Sequence, residues 1–350
     1  MKFDLLKIIR SNILKLTPYS SARSEFKGNA DVFLDANENS FGSPLNENFN
    51  RYPDPYQQKL KDKLSTIKGL PPKNIFLGNG SDEAIDILFR IFCEPGKDKV
   101  IICPPTYGMY EVSANINDVL LVKVPLLPET FQLDITNILK VISDQTKLIF
   151  ICCPNNPTGN GVQWSDIKMI IENFPGIIVI DEAYINFASY RSLIPELLNY
   201  PNLVILQTLS KAWGLAGLRL GMAFASEEII SLFNKVKPPY NINEATQQLA
   251  LQALDNIQAV NEWIKVSVQE RTRLRDELST LSFVLKVYDS EANFLLIKMQ
   301  DANAVYDYLV NEGIITRNRS KIELCENCLR ITVGTMEENK KLISTLNKFK

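Results

Sequence analysis

Leu203-Val204-Ile205-Leu206-Gln207-Thr208-Leu209-Ser210-Lys211-Ala212-Trp213-Gly214-Leu215-Ala216-Gly217-Leu218-Arg219-Leu220-Gly221 begins as a buried strand and ends as chemistry. Its first four residues form a short apolar run of the kind that lies inside a covered sheet. A hydroxyl at Ser210, an ammonium at Lys211 and a guanidinium at Arg219 follow, spaced by small and apolar residues. Solvated faces interleave their charges with polar residues, so a lone lysine in this company stands out. Desolvation lowers a lysine's pKa, and a neutral amine is a nucleophile able to form a Schiff base. The same side chain could equally snorkel to water from a strand end. The rest of the chain separates the two readings.

Two further apolar runs, 148–153 and 177–180, precede this one, with helical patterns between them. Continuous apolar strands alternating with helices predict an α/β fold with a mainly parallel sheet covered on both faces. Working outward, the pattern predicts strands at 32–35, 74–77, 100–103, 119–124 and 220–225. It predicts helices over 56–68, from 81 to about 96, after Tyr107 and over 135–142. From about residue 243 the character changes. One long helical region runs to 279, followed by strands at 283–288, 294–298 and 329–333. Helices at 302–311 and 337–348 accompany them, the last opened by a capping box from Thr335 to Glu338. The expected division is a large domain over 31–242 and a smaller α+β domain over 243–350. Residues 1–30 stand apart as an amphipathic helix over 1–10 and an extended arm.

At 350 residues the chain is long enough for about two domains. The 38 Lys and Arg against 40 Asp and Glu give a net charge of -2 with no basic tail, which argues against a nucleic-acid partner. The first residues break their apolar positions with charges, unlike a signal peptide, and no apolar run is long enough to span a bilayer. A cytoplasmic location and no membrane partner are expected. The chain contains no histidine. That removes Ser-His-Asp and Cys-His machineries and histidine-based metal sites, so acid–base work falls to Lys, Asp, Glu, Tyr or Cys. Cys325-Glu326-Asn327-Cys328 has a metal-like spacing but no second pair, and a turn between strands is the better reading. No metal is expected.

In parallel sheets, ligands collect beyond the carboxyl ends of the strands. The residues there are Asn155-Asn156-Pro157-Thr158-Gly159, Asp181-Glu182-Ala183-Tyr184 and Ser210-Lys211. Asp181 ends a central strand, and a carboxylate buried there needs a partner. A hydrogen bond to the next loop would serve, and so would a protonated pyridine nitrogen. Gly78-Asn79-Gly80-Ser81-Asp82-Glu83 is a glycine turn entering a helix, an anion site through its free N–H groups, though it matches neither the P-loop nor the full dinucleotide pattern. Ser210 and Arg219 add donors suited to a phosphate. Tyr107 follows a strand and either stacks on a planar ring or fills core. A lysine for an imine, a carboxylate for a ring nitrogen and a phosphate cradle together meet the needs of pyridoxal phosphate.

These stretches resemble the fold-type I pyridoxal-phosphate aminotransferases, and more narrowly the histidinol-phosphate aminotransferase family. Further matching motifs are Asp35-Ala36-Asn37-Glu38-Asn39, Arg51-Tyr52-Pro53-Asp54-Pro55, Pro104-Pro105-Thr106-Tyr107-Gly108-Met109-Tyr110 and Leu329-Arg330-Ile331-Thr332-Val333-Gly334. They extend over nearly the whole chain. The resemblance implies a mainly parallel seven-stranded sheet between helices, with a smaller C-terminal α+β domain. It implies that Lys211 forms the Schiff base with pyridoxal 5'-phosphate and then shuttles the proton. Asp181 would pair with the pyridine nitrogen, Tyr184 and Asn156 would bind the ring hydroxyl, and Tyr107 would stack on the ring. Ser81, Asp82, Ser210 and Arg219 would hold the phosphate, with Tyr52 reaching it from the partner subunit of a homodimer. Arg330 would bind the carboxylate of glutamate. Tyr19, Asn37 and Arg317 would contact substrate, with Arg319 beside Arg317 as an alternative to it.

The implied activity is reversible amino transfer between histidinol phosphate and 2-oxoglutarate in histidine biosynthesis. Siblings on the same scaffold, an aromatic aminotransferase or a threonine-phosphate decarboxylase, are the nearest rivals. A non-catalytic binding protein would be signalled by an appended DNA-binding domain. A Rossmann dehydrogenase would need the dinucleotide fingerprint that is absent here.

Overall fold

The computed structural model describes residues 3–20, 30–45 and 47–349. The long apolar runs become the middle of a seven-stranded sheet. Its strands are β1 (Ile75–Asn79), β2 (Lys99–Ile102), β3 (Leu120–Lys123), β4 (Thr146–Cys152), β5 (Ile177–Asp181), β6 (Leu203–Thr208) and β7 (Leu220–Phe224), in the order β1-β7-β6-β5-β4-β2-β3. β2 to β6 run parallel, and β7 is antiparallel to both β6 and β1. Every residue of β5 and β6 is buried. Because successive side chains alternate across a strand, Ile178, Ile180 and Ile205 enter one core while Ile177, Val179 and Val204 enter another on the opposite face. Helix Gly80–Phe92 covers the second face with eight buried residues, and helix Trp164–Asn173 covers the first through Ile167, Ile170 and Ile171.

A smaller antiparallel sheet follows: β8 (Val284–Val287), β9 (Phe294–Met299), β10 (Arg317–Asn318) and β11 (Cys328–Thr332), ordered β10-β11-β9-β8. It packs on helices Ile257–Leu278, Ala302–Asn311 and Met336–Leu346 around Leu274, Leu295, Ile297 and Leu309. The capping box forms as expected between Thr335 and Glu338. The single helical region expected over 243–279 is two helices, Glu244–Leu254 and Ile257–Leu278.

Two expectations are corrected. Residues 32–35 form no strand, although their composition suits one. A strand needs a ladder for its backbone groups, and here the Phe33 carbonyl instead accepts from Arg51 Nη1 at 3.3 Å. The helix expected over 1–10 is two short turns, Leu5–Ile8 and Ser11–Lys15. Between them Arg10 N–H donates to the Ile91 carbonyl at 3.0 Å, docking the segment onto the end of helix Gly80–Phe92 at the expense of its own continuity. Residues 21–29 of the expected arm lie outside the described residues.

Cys325 to Cys328 is a turn, closed by Cys328 N–H donating to Cys325 O at 3.0 Å, with Asn327 in the left-handed region. All six cysteines are buried free thiols. Burial pushes Cys103 and Cys325 up to about 12.

Candidate active site

The carboxyl ends of β4, β5 and β6 and the turn after β1 open onto one cleft of about 560 Å³. Ser81, Asp82, Tyr107, Asn156, Asp181, Tyr184, Ser210, Lys211 and Arg219 all line it, from five separate chain segments. Arg317, Arg319 and Arg330 of the small sheet close its far side. Tyr19, Asn37 and Tyr52 lie elsewhere in the same chain. Tyr19 is exposed beside Tyr56 and Lys237. Asn37 and Tyr52 share a separate groove, where Tyr52 stacks on Tyr240 with ring centroids 4.5 Å apart.

Asp181 is the last residue of β5 and only 2% exposed. Its Oδ2 accepts from the Tyr110 hydroxyl at 2.7 Å and its Oδ1 from Ala183 N–H at 3.0 Å. Burial raises its pKa above the ordinary carboxylate value, and these two bonds oppose the rise. Tyr110 was not singled out as a site residue. It stands three positions after Tyr107, across the turn that leads into helix Met109–Ile116, where Tyr110 N–H donates to the Tyr107 carbonyl at 3.3 Å. Their rings meet edge to face, 5.6 Å between centroids.

Lys211 follows β6, its amine 5.5 Å from the centre of the Tyr184 ring. The side chain opens onto the cleft, yet its pKa is lowered, first by desolvation among the walls and then by Arg330, with Asp181 pulling the other way. Lys211 is exposed and lines the cleft. It faces a buried carboxylate across a room of suitable size for a planar ring.

The turn after β1 supplies an anion cradle. Gly80 has a φ of +71°, and a Cβ there would lie 2.8 Å from Arg219 Nη2. Gly221 of β7 presses still closer: a Cβ would meet Gly80 C and Ser81 N at 2.2 Å. Both glycines are therefore required for Arg219 and the first N–H groups of helix Gly80–Phe92 to converge. Those N–H groups have no intrahelical partner. The Asp82 carboxylate, which would oppose an anion, is turned aside to accept from Tyr107 OH at 3.0 Å and Arg219 Nη2 at 3.4 Å. Thr208 Oγ1 accepts from Ser210 N–H at 3.0 Å and lies 2.9 Å from Ser210 Oγ, which fixes the Ser210 hydroxyl at the cleft.

Arg330 bridges the two sheets. Its Nη1 donates to Asn156 Oδ1 at 2.5 Å, and its guanidinium lies 5.1 Å from the centre of the Phe294 ring. The arrangement offers an amine, a buried carboxylate, a phosphate cradle and an arginine-lined outer wall. This donor set fits pyridoxal phosphate.

Comparison with known proteins agrees with the geometry. The sequence model for aminotransferase class I and II matches residues 27–346. The histidinol-phosphate aminotransferase of Cytophaga hutchinsonii is 54% identical over 349 residues, covering 100% of both chains, and that of Parabacteroides distasonis is 52% identical over 99% of each. Among solved structures, the histidinol-phosphate aminotransferase of Clostridium acetobutylicum superimposes with a TM-score of 0.79 at 26% identity, over 85% of this chain and 90% of that one.

Proposed function

The chain belongs to the aminotransferase class I and II family, and from that premise we infer that it moves an amino group between L-histidinol phosphate and 2-oxoglutarate in histidine biosynthesis. It is a pyridoxal-phosphate-dependent enzyme. The observation that carries the substrate reading is full-length identity of 52–54% to enzymes of that name, joined to a cleft whose inner end suits the cofactor and whose outer end is lined with arginine.

When bound, pyridoxal phosphate supplies an electron sink conjugated to the substrate's reacting carbon. The chain's residues do the rest. Lys211 would hold the cofactor, and its Nζ would take and return the proton that moves during transfer. Asp181 keeps positive charge on the ring nitrogen. A carboxylate buried and fixed by Tyr110 and Ala183 suits that task, because it does not reorganise when charge develops. Asn156 and Tyr184 orient the ring hydroxyl, and Tyr107 holds the ring plane. Ser210, Arg219 and the N–H groups of Ser81 and Asp82 anchor the phosphate. Arg330, positioned by Asn156, takes the carboxylate of glutamate.

Two finer readings belong to the same proposal. Tyr52 and Asn37, and Tyr19 of the arm, serve the cleft of a second copy, so the working enzyme is a homodimer; sedimentation at the mass of one chain would overturn this. The described helices include none long and apolar enough to cross a membrane, and we place the enzyme in the cytoplasm. The division at 30 and 242 into arm, cofactor domain and small domain is part of the same reading.

The deciding measurement is steady-state kinetics with histidinol phosphate, phenylalanine and threonine phosphate. The expected result is a kcat/KM for histidinol phosphate far above that for phenylalanine, with no carbon dioxide released from threonine phosphate. A higher kcat/KM for phenylalanine would assign the chain to an aromatic aminotransferase instead.

A further inference from the structure

The three arginines on the outer wall form a set. Arg317 in β10 lies directly opposite Arg330 in β11, and paired side chains of an antiparallel ladder stand on one face about 5 Å apart. The pairing runs one step past β10, where Arg319 N–H donates to Cys328 O at 2.9 Å. With a period of two, Arg319 returns to the face of Arg317. Asn318 turns to the other, where its amide donates to Asn303 Oδ1 at 2.8 Å. All three guanidinium-bearing residues line the cleft that holds Lys211 and Asp181.

Such a set is unfavourable without an anion, since like charges across a ladder repel. The arginine–carboxylate pairs among the described residues involve others, Arg51, Arg271 and Arg273 among them, and none involves Arg317, Arg319 or Arg330. Arg330 at least has Asn156 and Phe294. Arg319 Nε and Arg330 Nε are both buried with no hydrogen-bond partner, and Arg319 has no side-chain hydrogen bond from its other nitrogens either among the described residues. Burial and the two neighbouring arginines lower Arg319 to about 10.

The chemistry of the substrates gives the third arginine a use. Glutamate carries two monoanionic carboxylates, and the forks of Arg330 and Arg317 suffice for them. Histidinol phosphate carries no carboxylate; its one anion is a phosphate monoester that becomes a dianion above a second pKa of about 6, with three terminal oxygens that can accept from all three forks. We propose that Arg319 is a specificity-determining residue, a further guanidinium beside Arg317 and Arg330 that favours a substrate's phosphate dianion over a carboxylate. The inference deepens the aminotransferase reading and rests on it.

The test compares holoenzyme Arg319→Gln with the unaltered enzyme in two half-reactions, with histidinol phosphate and with glutamate. At pH 7.5, kcat/KM for histidinol phosphate is expected to fall about 10- to 100-fold, mainly through KM, with a several-fold smaller loss for glutamate. The ratio of unaltered to variant kcat/KM for histidinol phosphate should shrink as the pH falls through about 6 and the phosphate takes up a proton. Titration of the substrate's imidazole is common to both enzymes and cancels in that ratio. Equal losses for both substrates, a ratio independent of pH, or no loss at all would each overturn the assignment. Failure of the unaltered enzyme to turn over histidinol phosphate would instead sink the functional reading beneath it.

Discussion

Lys211→Ala is expected to lose amino transfer by about 10⁴-fold or more in kcat/KM while the protein stays folded. On the proposed reading two tasks would disappear with one amine, the hold on the cofactor and the movement of the proton. Neither can be taken over by a neighbour. The cleft contains no histidine, Asp181 is committed to Tyr110 and Ala183, and Arg219 and Arg330 are poor bases. Stability should change little, because the side chain opens onto the cleft and its removal leaves no buried cavity. Removing a cation that feels Arg330 and Arg219 even relieves some repulsion. Kinetics and thermal unfolding, measured together, check both halves. Borohydride should fix the cofactor to Lys211 in the unaltered protein and leave the variant unmodified at that position. Activity within tenfold of the unaltered enzyme would remove Lys211 from the mechanism.

The second large effect is expected at Asp181. Asp181→Asn should cost about 10²- to 10³-fold in kcat, the scale on which one preorganised electrostatic partner contributes, with the cofactor still bound through its phosphate cradle. The same substitution makes a stability prediction of opposite sign. Burial raises the pKa of Asp181 in the folded protein. Below both the unfolded and the folded pKa the group is protonated in each state and costs nothing. As the pH rises through the folded pKa, the folded protein must bear an ionised, buried carboxylate, and stability is lost. The cofactor-free variant should therefore unfold at a higher temperature than the unaltered cofactor-free protein near neutral pH. That advantage should shrink on acidification below the raised pKa and vanish below the ordinary carboxylate value. An advantage that grows as the pH falls would contradict the assignment of burial as the cause.

The strands that position the site were readable as apolar runs, β5 and β6 above all because they are covered on both faces, whereas the edge strand β3 has no buried residue. Direction was less legible. The run that became β7 looks like its neighbours, and nothing in an apolar stretch records that it lies antiparallel to β1 and β6. β10, only two residues long, owes its existence to pairing with β11, so no local pattern announced it, and with it went the relation between Arg317, Arg319 and Arg330. Residues 32–35 failed in the opposite sense, having strand composition but no ladder to join. At the site, Lys211 and Asp181 could be found as charges in apolar company. The bond from Tyr110 to Asp181 spans 71 positions of sequence, and only the fold brings the two together. The absence of histidine was the most restrictive single fact, since it left only lysine, aspartate, glutamate, tyrosine and cysteine as candidates for proton chemistry.

The buried thiols have a practical consequence. At neutral pH the six cysteines present almost no thiolate, and none lies at the surface. A maleimide dye therefore finds no natural anchor on the folded chain. One cysteine introduced at Ile116 on the large sheet's side and another at Leu285 on the small sheet, both exposed at present, would be the only two that label. The unmodified protein is thus a silent background on which a pair of fluorophores can report, in real time, the distance between the large-sheet and small-sheet parts of the chain when substrate is added.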